Sequence, residues 1–107
     1  MGLDFSNNAG FDFDLDSSLD EKHDEPKQYK VILLNDHYTT MEFVVLVLMQ
    51  IFHKNQVDAT QIMLDVHKKG QGLCGIYTYD IAVTKVAQVA HLAKQNNFPL
   101  KCIYEEE

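Results

Sequence analysis

The chain has 107 residues, 46% of them hydrophobic and 23% charged, with 16 acidic against 9 basic residues, which is enough for one compact domain and too little for two. Every basic residue is a lysine and the net charge is −7, so the guanidinium that grips phosphate bidentately is missing and nucleic acid is not an expected partner. No run of 18 apolar residues and no basic-then-apolar leader occurs, so neither a membrane span nor export is expected, and a cytoplasmic location is.

Charge divides the chain unevenly: residues 1–28 carry eight acids and two lysines, residues 29–107 eight acids and seven lysines. The first segment alternates acids with apolar residues at Phe11, Asp12, Phe13, Asp14 and Leu15 but has too little apolar surface to offset its own ordering entropy. Residues 1–28 are therefore expected to form a disordered acidic extension, with an edge strand at Phe11 to Leu15 as the alternative, and residues 29–107 to form the folded domain. Met1, Gly2 and Ser6 fit a loose N-myristoylation pattern, but the neighbouring acids would repel an anionic membrane, and the match is read as chance.

The run QYKVILL is β-branched and aromatic, as suits a buried strand, and Asn35 and Asp36 stop it. Thr39 with Glu42 three residues on reads as a capping box before MEFVVLVLMQIFHK, a helix apolar around most of its circumference that must be largely covered. Asp58 and Gln61 repeat that logic before ATQIMLDVHKK, where Lys68 and Lys69 suit the negative helix end and Gly70 the position beyond it. LCGIYT reads as a strand, and Asp80 to Gln95 as a helix with Val83, Val86, Ala87, Ala90 and Ala93 at spacings of three and four. Asn96, Asn97 and Pro99 break it before a last strand, LKCIY. The order β-α-α-β-α-β predicts an α+β fold, a three-stranded antiparallel sheet with three helices on one side.

Polar groups gather at Asn35-Asp36-His37-Tyr38-Thr39, between a buried strand and a helix, and such loops often carry function. His67 shares a helical neighbourhood with Met63 and Val66. No catalytic residue is assigned: the five histidines show no HExxH or HxxxH spacing, and Cys74 and Cys102 have no ligand or base nearby in sequence and read as reduced core residues. Phosphate-loop motifs are absent, and neither a cofactor nor a metal is expected.

The segments YKVILLNDHYTTMEF, ATQIMLDVHKKGQGLCGIYT and DIAVTKVAQVAHLA leading to FPLKC resemble the ClpS family, bacterial adaptors that bring N-degron substrates to the ClpA unfoldase of the ClpAP protease. The resemblance covers about residues 27 to 104 and implies a pocket for an N-terminal Leu, Phe, Tyr or Trp. It assigns Asn35, Asp36 and His67 to the substrate α-amino group and Thr39 to the shape of the loop. A carboxylate with neutral acceptors is the natural complement of an ammonium with three donors. It further implies a hydrophobic pocket of Leu33, Met41, Val44, Met63, Val66 and Leu100, whose methionines can adapt to either a ring or a Leu. Docking on the N-terminal domain of a ClpA-type AAA+ unfoldase falls, by resemblance, to Asp80 and Lys85, whose plainer reading is a helix-start acid and a solvated lysine.

Two positions depart from the family pattern. His37 stands where an acid is usual, which implies weaker tolerance of basic second residues in the substrate. Thr40 stands where Pro is usual, which implies a less rigid helix start and a looser Met41. The alternatives are a small metal-dependent hydrolase using His67, His37 and Asp36, and a structural protein-interaction domain.

Overall fold

Strand β1 (Gln28–Leu34) runs down the middle of a three-stranded antiparallel sheet, between β2 (Gln71–Thr78) and β3 (Lys101–Glu106) in the order β2-β1-β3. The computed structural model describes residues 25–107. Residues 1–24, and with them most of the expected extension, its alternative strand and the lipidation pattern, lie outside the described residues. Helices α1 (Met41–Gln50), α2 (Gln56–Lys69) and α3 (Tyr79–Gln95) complete the order β-α-α-β-α-β, the α+β architecture expected.

Register explains the two faces of the sheet. Leu33 lies opposite Gly72 and Cys102, and both Val31 and Leu33 join Val47, Leu48, Val66 and Val89 of the helices in one core. Ile32 lies opposite Leu73 and Ile103, so it points away from the helices; it is nonetheless only 3% exposed. Val31 pairs with Gly75 and Ile32 with Leu73, which leaves Cys74 as the extra residue of a bulge. Tyr29, Tyr79 and Tyr104 meet edge to face at centroid distances of 5.3, 5.7 and 6.0 Å, fastening the start of α3 to β1 and β3.

Several boundaries move from those expected, each for a local reason. β1 begins at Gln28, inside the segment assigned to the extension, because Glu107 N–H donates to the Gln28 carbonyl at 2.9 Å and continues the ladder. The cap of α1 is Thr40, not Thr39: the Thr40 hydroxyl accepts from Phe43 N–H at 3.1 Å. A proline at position 40 would bring no such acceptor. α1 also stops at Gln50, four residues early, as His53 takes a left-handed φ of 57° and Lys54 N–H turns back to the Leu48 carbonyl at 3.1 Å. Asn55 caps α2, accepting from Asp58 N–H at 2.8 Å, which makes Asp58 a first-turn acid and not the cap.

β2 starts at Gln71 and β3 continues to Glu106, since both extend the pairing with β1. The buried face of α3 is Ala82, Val89 and Ala93 with Val86 partly covered, while Ala87 and Ala90 are exposed. Alanines all around that helix make its apolar stripe ambiguous by about one residue, or 100°.

Leu33 is fully buried, so Leu33→Ala is expected to cost about 2–5 kcal/mol of unfolding free energy, measured as a lower urea midpoint at unchanged m. A cost within experimental error would place Leu33 outside the core. Burial pushes the Cys74 thiol far up and the Cys102 thiol up to about 12, so neither should react with a thiol reagent at mildly alkaline pH until the protein is unfolded.

Candidate functional site

The loop after β1 is clipped to the end of α2. Asn35 N–H donates to the Gly70 carbonyl at 3.0 Å, and the Gly70 N–H donates to the Val66 carbonyl at 3.1 Å. Gly70 ends α2 with a φ of 90°, a left-handed conformation that a Cβ would strain. This cap turns the chain straight into β2, so the Asn35–Asp36 loop and His67, one turn before Gly70, come to the same end of the sheet.

Asp36 organises the loop. Its Oδ1 accepts from Tyr38 N–H at 2.8 Å and from Thr39 N–H at 2.7 Å, and its Oδ2 accepts from the Thr39 hydroxyl at 2.7 Å. Thr39 is thereby drawn to Asp36, which leaves Thr40 to cap the helix. Partial burial pushes the Asp36 carboxyl up, but the hydrogen bonds from Thr39 and Tyr38, with the nearby His37, outweigh it and hold the group below its ordinary value. An ionised carboxylate has about four acceptor positions; three are filled from within the loop, and one remains on Oδ2.

Beside this loop lies a cavity of about 520 Å³. Its apolar wall comes from Met41 and Val44 of α1 and from Met63 and Val66 of α2. Val66 can stand there because α2 rests directly on β2 at Gly72, where a Cβ would lie 2.7 Å from Val66 Cγ2 and 3.0 Å from the Ile62 carbonyl oxygen. The polar wall holds Asn35, Asp36, Thr39 and His67, and no lysine lines the cavity. Met41 is 45% exposed, so this wall is open to solvent at the start of α1.

Of the ten residues assigned to substrate binding, eight meet in this cavity. Leu33 and Leu100 do not line it: both are buried in the core, because Leu33 alternates to the helix side of the central strand and Leu100 packs under the same helices. His37, Thr40 and Glu42 line the cavity without having been assigned to it. Glu42 was masked by its apparent role in a capping box, a bond its carboxylate does not make; its position one residue after Met41, at the helix start, was the available signal. His37, Asp36 and His67 share the cavity, yet no group of three or more His, Cys, Asp or Glu is placed to hold a metal among the described residues, which leaves the hydrolase alternative without a ligand set.

Asp80 and Lys85 lie elsewhere. Asp80 is exposed in the first turn of α3, and five residues place Lys85 about 140° further round that helix. Lys85 is not simply solvated: Nζ donates to the Ile51 carbonyl at 2.6 Å and stands 5.9 Å from the ring centroids of Phe52 and Tyr77.

A family model described as ATP-dependent Clp protease adaptor protein ClpS matches residues 24–103. The ClpS adapter of Syntrophus aciditrophicus is 60% identical over 96 residues, covering 90% of each chain. That of Acetivibrio thermocellus is 59% identical over 83 residues, covering 78% of this chain and 84% of the relative. The structure of Agrobacterium tumefaciens ClpS2 bound to L-phenylalaninamide superposes with a TM-score of 0.75 at 38% identity, over 78% of this chain and all of that one.

Because the folded-state pKa of Asp36 is lowered, its contribution to stability is present at neutral pH and is lost as pH falls through that lowered value. Thr39→Val removes the hydroxyl donor and should raise the Asp36 titration midpoint, followed by carboxyl NMR, toward the ordinary 3.8. An unmoved midpoint would show that the hydroxyl does not hold the charge.

Proposed function

The chain belongs to the ClpS family of ATP-dependent Clp protease adaptors, and from that premise we propose that its cavity binds the N-terminal residue of an N-degron protein. That residue is a free α-ammonium carrying a Leu, Phe, Tyr or Trp side chain. The bound protein is then handed to the N-terminal domain of a ClpA-type AAA+ unfoldase and degraded by ClpAP. As an adaptor of a Clp protease it works with a Clp chaperone partner; its own part is binding without catalysis or cofactor, in keeping with relatives named adaptors.

One observation carries this reading: an ionised carboxylate, already fixed by three internal hydrogen bonds, borders an apolar wall of two methionines and two valines in a cavity that no lysine lines. An ammonium has three donors and one charge. The free acceptor position of Asp36 Oδ2, the Asn35 side-chain oxygen and a ring nitrogen of His67 can each take one donor, directly or through water. An internal peptide nitrogen has neither the charge nor the spare donors. Met41 and Met63 adapt to a ring or a Leu, whereas a β-branched Val or Ile is stiff at χ1 and fits such a slot less well. Burial of the side chain contributes about 1.5–3 kcal/mol and each charged hydrogen bond about 1.5–3 kcal/mol; less the cost of association, affinity is on the order of micromolar. The phenylalaninamide in the Agrobacterium relative, a free amine next to a bulky ring, supports the same assignment.

Delivery uses other residues in this reading. Asp80 and Lys85 dock on the unfoldase, and the acidic segment before Gln28, whose span if fully extended is at most about 95 Å, is gripped by it while the domain that begins with β1 stays docked. A cytoplasmic setting follows from such partners, and no described helix is long and apolar enough to cross a membrane.

The chain contains no Trp, so the emission of a Trp-initiated peptide reports binding without background. The free-amine peptide should bind and its N-acetylated form should lose about 100-fold or more, the worth of two charged hydrogen bonds; equal binding of the two forms would end this reading. Deleting residues 1–25 should leave peptide binding intact and abolish degradation by ClpAP, and continued degradation would remove the extension from the mechanism.

A further inference from the structure

We propose that the sheet face turned away from the helix-side core is a docking site for the chain's own residues 11–15, Phe-Asp-Phe-Asp-Leu, with Lys30 and Lys101 attracting the acids. The helices bury the side of β1 that carries Val31 and Leu33. Alternation from Ile32 puts Lys30 and Leu34 on the other side, and directly paired residues share that side, which adds Leu73 and Ile76 from β2 and Ile103 from β3. Ile32 is 3% exposed yet is no member of the helix-side cluster. Leu73 and Ile76 beside it remain 45% and 41% exposed, so the face is apolar, continuous and open.

The size of the face decides what fits it. Three strands about 4.8 Å apart, with the seven residues of β1 at about 3.3 Å each, give on the order of 300 Å², well short of the roughly 800 Å² per partner that folded chains bury in a stable interface. A second folded copy finds too little to hold. Five extended residues span about 17 Å, and a tether raises their local concentration to about millimolar, so a small area suffices. Residues 16–27, between this segment and β1, reach about 40 Å, while β1 is only about 23 Å long; the whole face is within range. In an extended chain Phe11, Phe13 and Leu15 fall on one side, the side that would meet Leu73, Ile76 and Ile103. Charge agrees: residues 1–28 carry eight acids against two lysines, and the face holds Lys30 towards one end and Lys101 at the other, against one acid, Glu105. The ion pairs among the described residues, Lys27 with Glu106 and Lys69 with Asp65, involve neither lysine. The inference does not depend on what the cavity binds; for delivery it means that the segment has to leave the sheet before an unfoldase can grip it.

The test uses the full chain, labelled with nitrogen-15, and compares its amide NMR spectrum with that of a variant carrying Phe11→Ser and Phe13→Ser together. Shifts are expected at Ile32, Leu73, Ile76 and Ile103 and not along α1 or α3. Phe13→Trp supplies a second reading, since the chain has no other Trp: its emission should be bluer than that of a peptide of residues 1–25 with the same substitution. Adding Leu73→Ser should move the emission toward the peptide's, whereas Val57→Ser, at an exposed position of α2, should not. Lys30→Glu and Lys101→Glu should each lower the docked-to-free ratio about two- to fivefold, as for a solvent-exposed ion pair. Unmoved amides, shifts that fall around Lys85 instead, shifts that grow with protein concentration as a second copy would require, or a Trp emission equal to the peptide's overturns the proposal. The phenylalanine variants precede β1, so their reading does not hinge on the folding of a sheet variant.

Discussion

The carboxylate of Asp36 is the group on which the site depends, because it acts on the loop and on the cavity at once. Three donors from two residues, Tyr38 and Thr39, converge on it, so the turn between β1 and α1 closes around a half-buried anion. Such donors keep the group charged, and a charge held in place in advance has little reorganisation left to undergo when a cation comes within reach. The remaining lone pair is therefore both aimed and scarce. A residue that filled no role in the loop would have been free to rotate away.

The rest of the site is assembled by topology. A strand, a loop and two helices meet at one end of the sheet because Gly70 turns α2 into the neighbour of β1, and because the Asn35 amide reaches back to that turn. The surface around Asp80 and Lys85 is built by different elements, α3 and the end of α1, and is tied by the Lys85 bond to the Ile51 carbonyl. α1 is the element common to both, with Met41 at its first turn and Ile51 just past its last.

Most of the architecture was legible in the sequence because strand and helix periods are carried by many residues at once. The order of the six elements, the left-handed Gly70 and the stop at Asn96 each rest on a pattern with a single cheap solution. What escaped was competition between equivalent neighbours. Thr39 and Thr40 are chemically alike, and which of them caps α1 is decided by Asp36, a tertiary choice that spacing does not encode. Asn55 and Asp58 pose the same ambiguity. Leu33 and Leu100 were placed in the cavity on resemblance, whereas strand alternation and burial put them in the core. Glu42 was overlooked because a plausible capping role hid its exposure to the cavity. Asn35, Asp36 and His67, whose grouping no spacing in the sequence encodes, share one cavity.

The bulge at Cys74 has a consequence for how the sheet finds its alignment. β1 is apolar on consecutive residues, Val31, Ile32 and Leu33, and all three are covered. An ordinary half-buried strand is held against slippage by the penalty of turning greasy side chains to water; here a shift by one would bring Ile32 to the helices in place of Val31 and Leu33, so among these three the penalty is small, and Lys30, which would turn to the core with Ile32, carries it. The bulge at Cys74 adds a second mark, since this alignment seats Gly72 under Val66 and leaves the extra residue buried at its kink. In this strand pair the backbone irregularity and one lysine together act as the ruler.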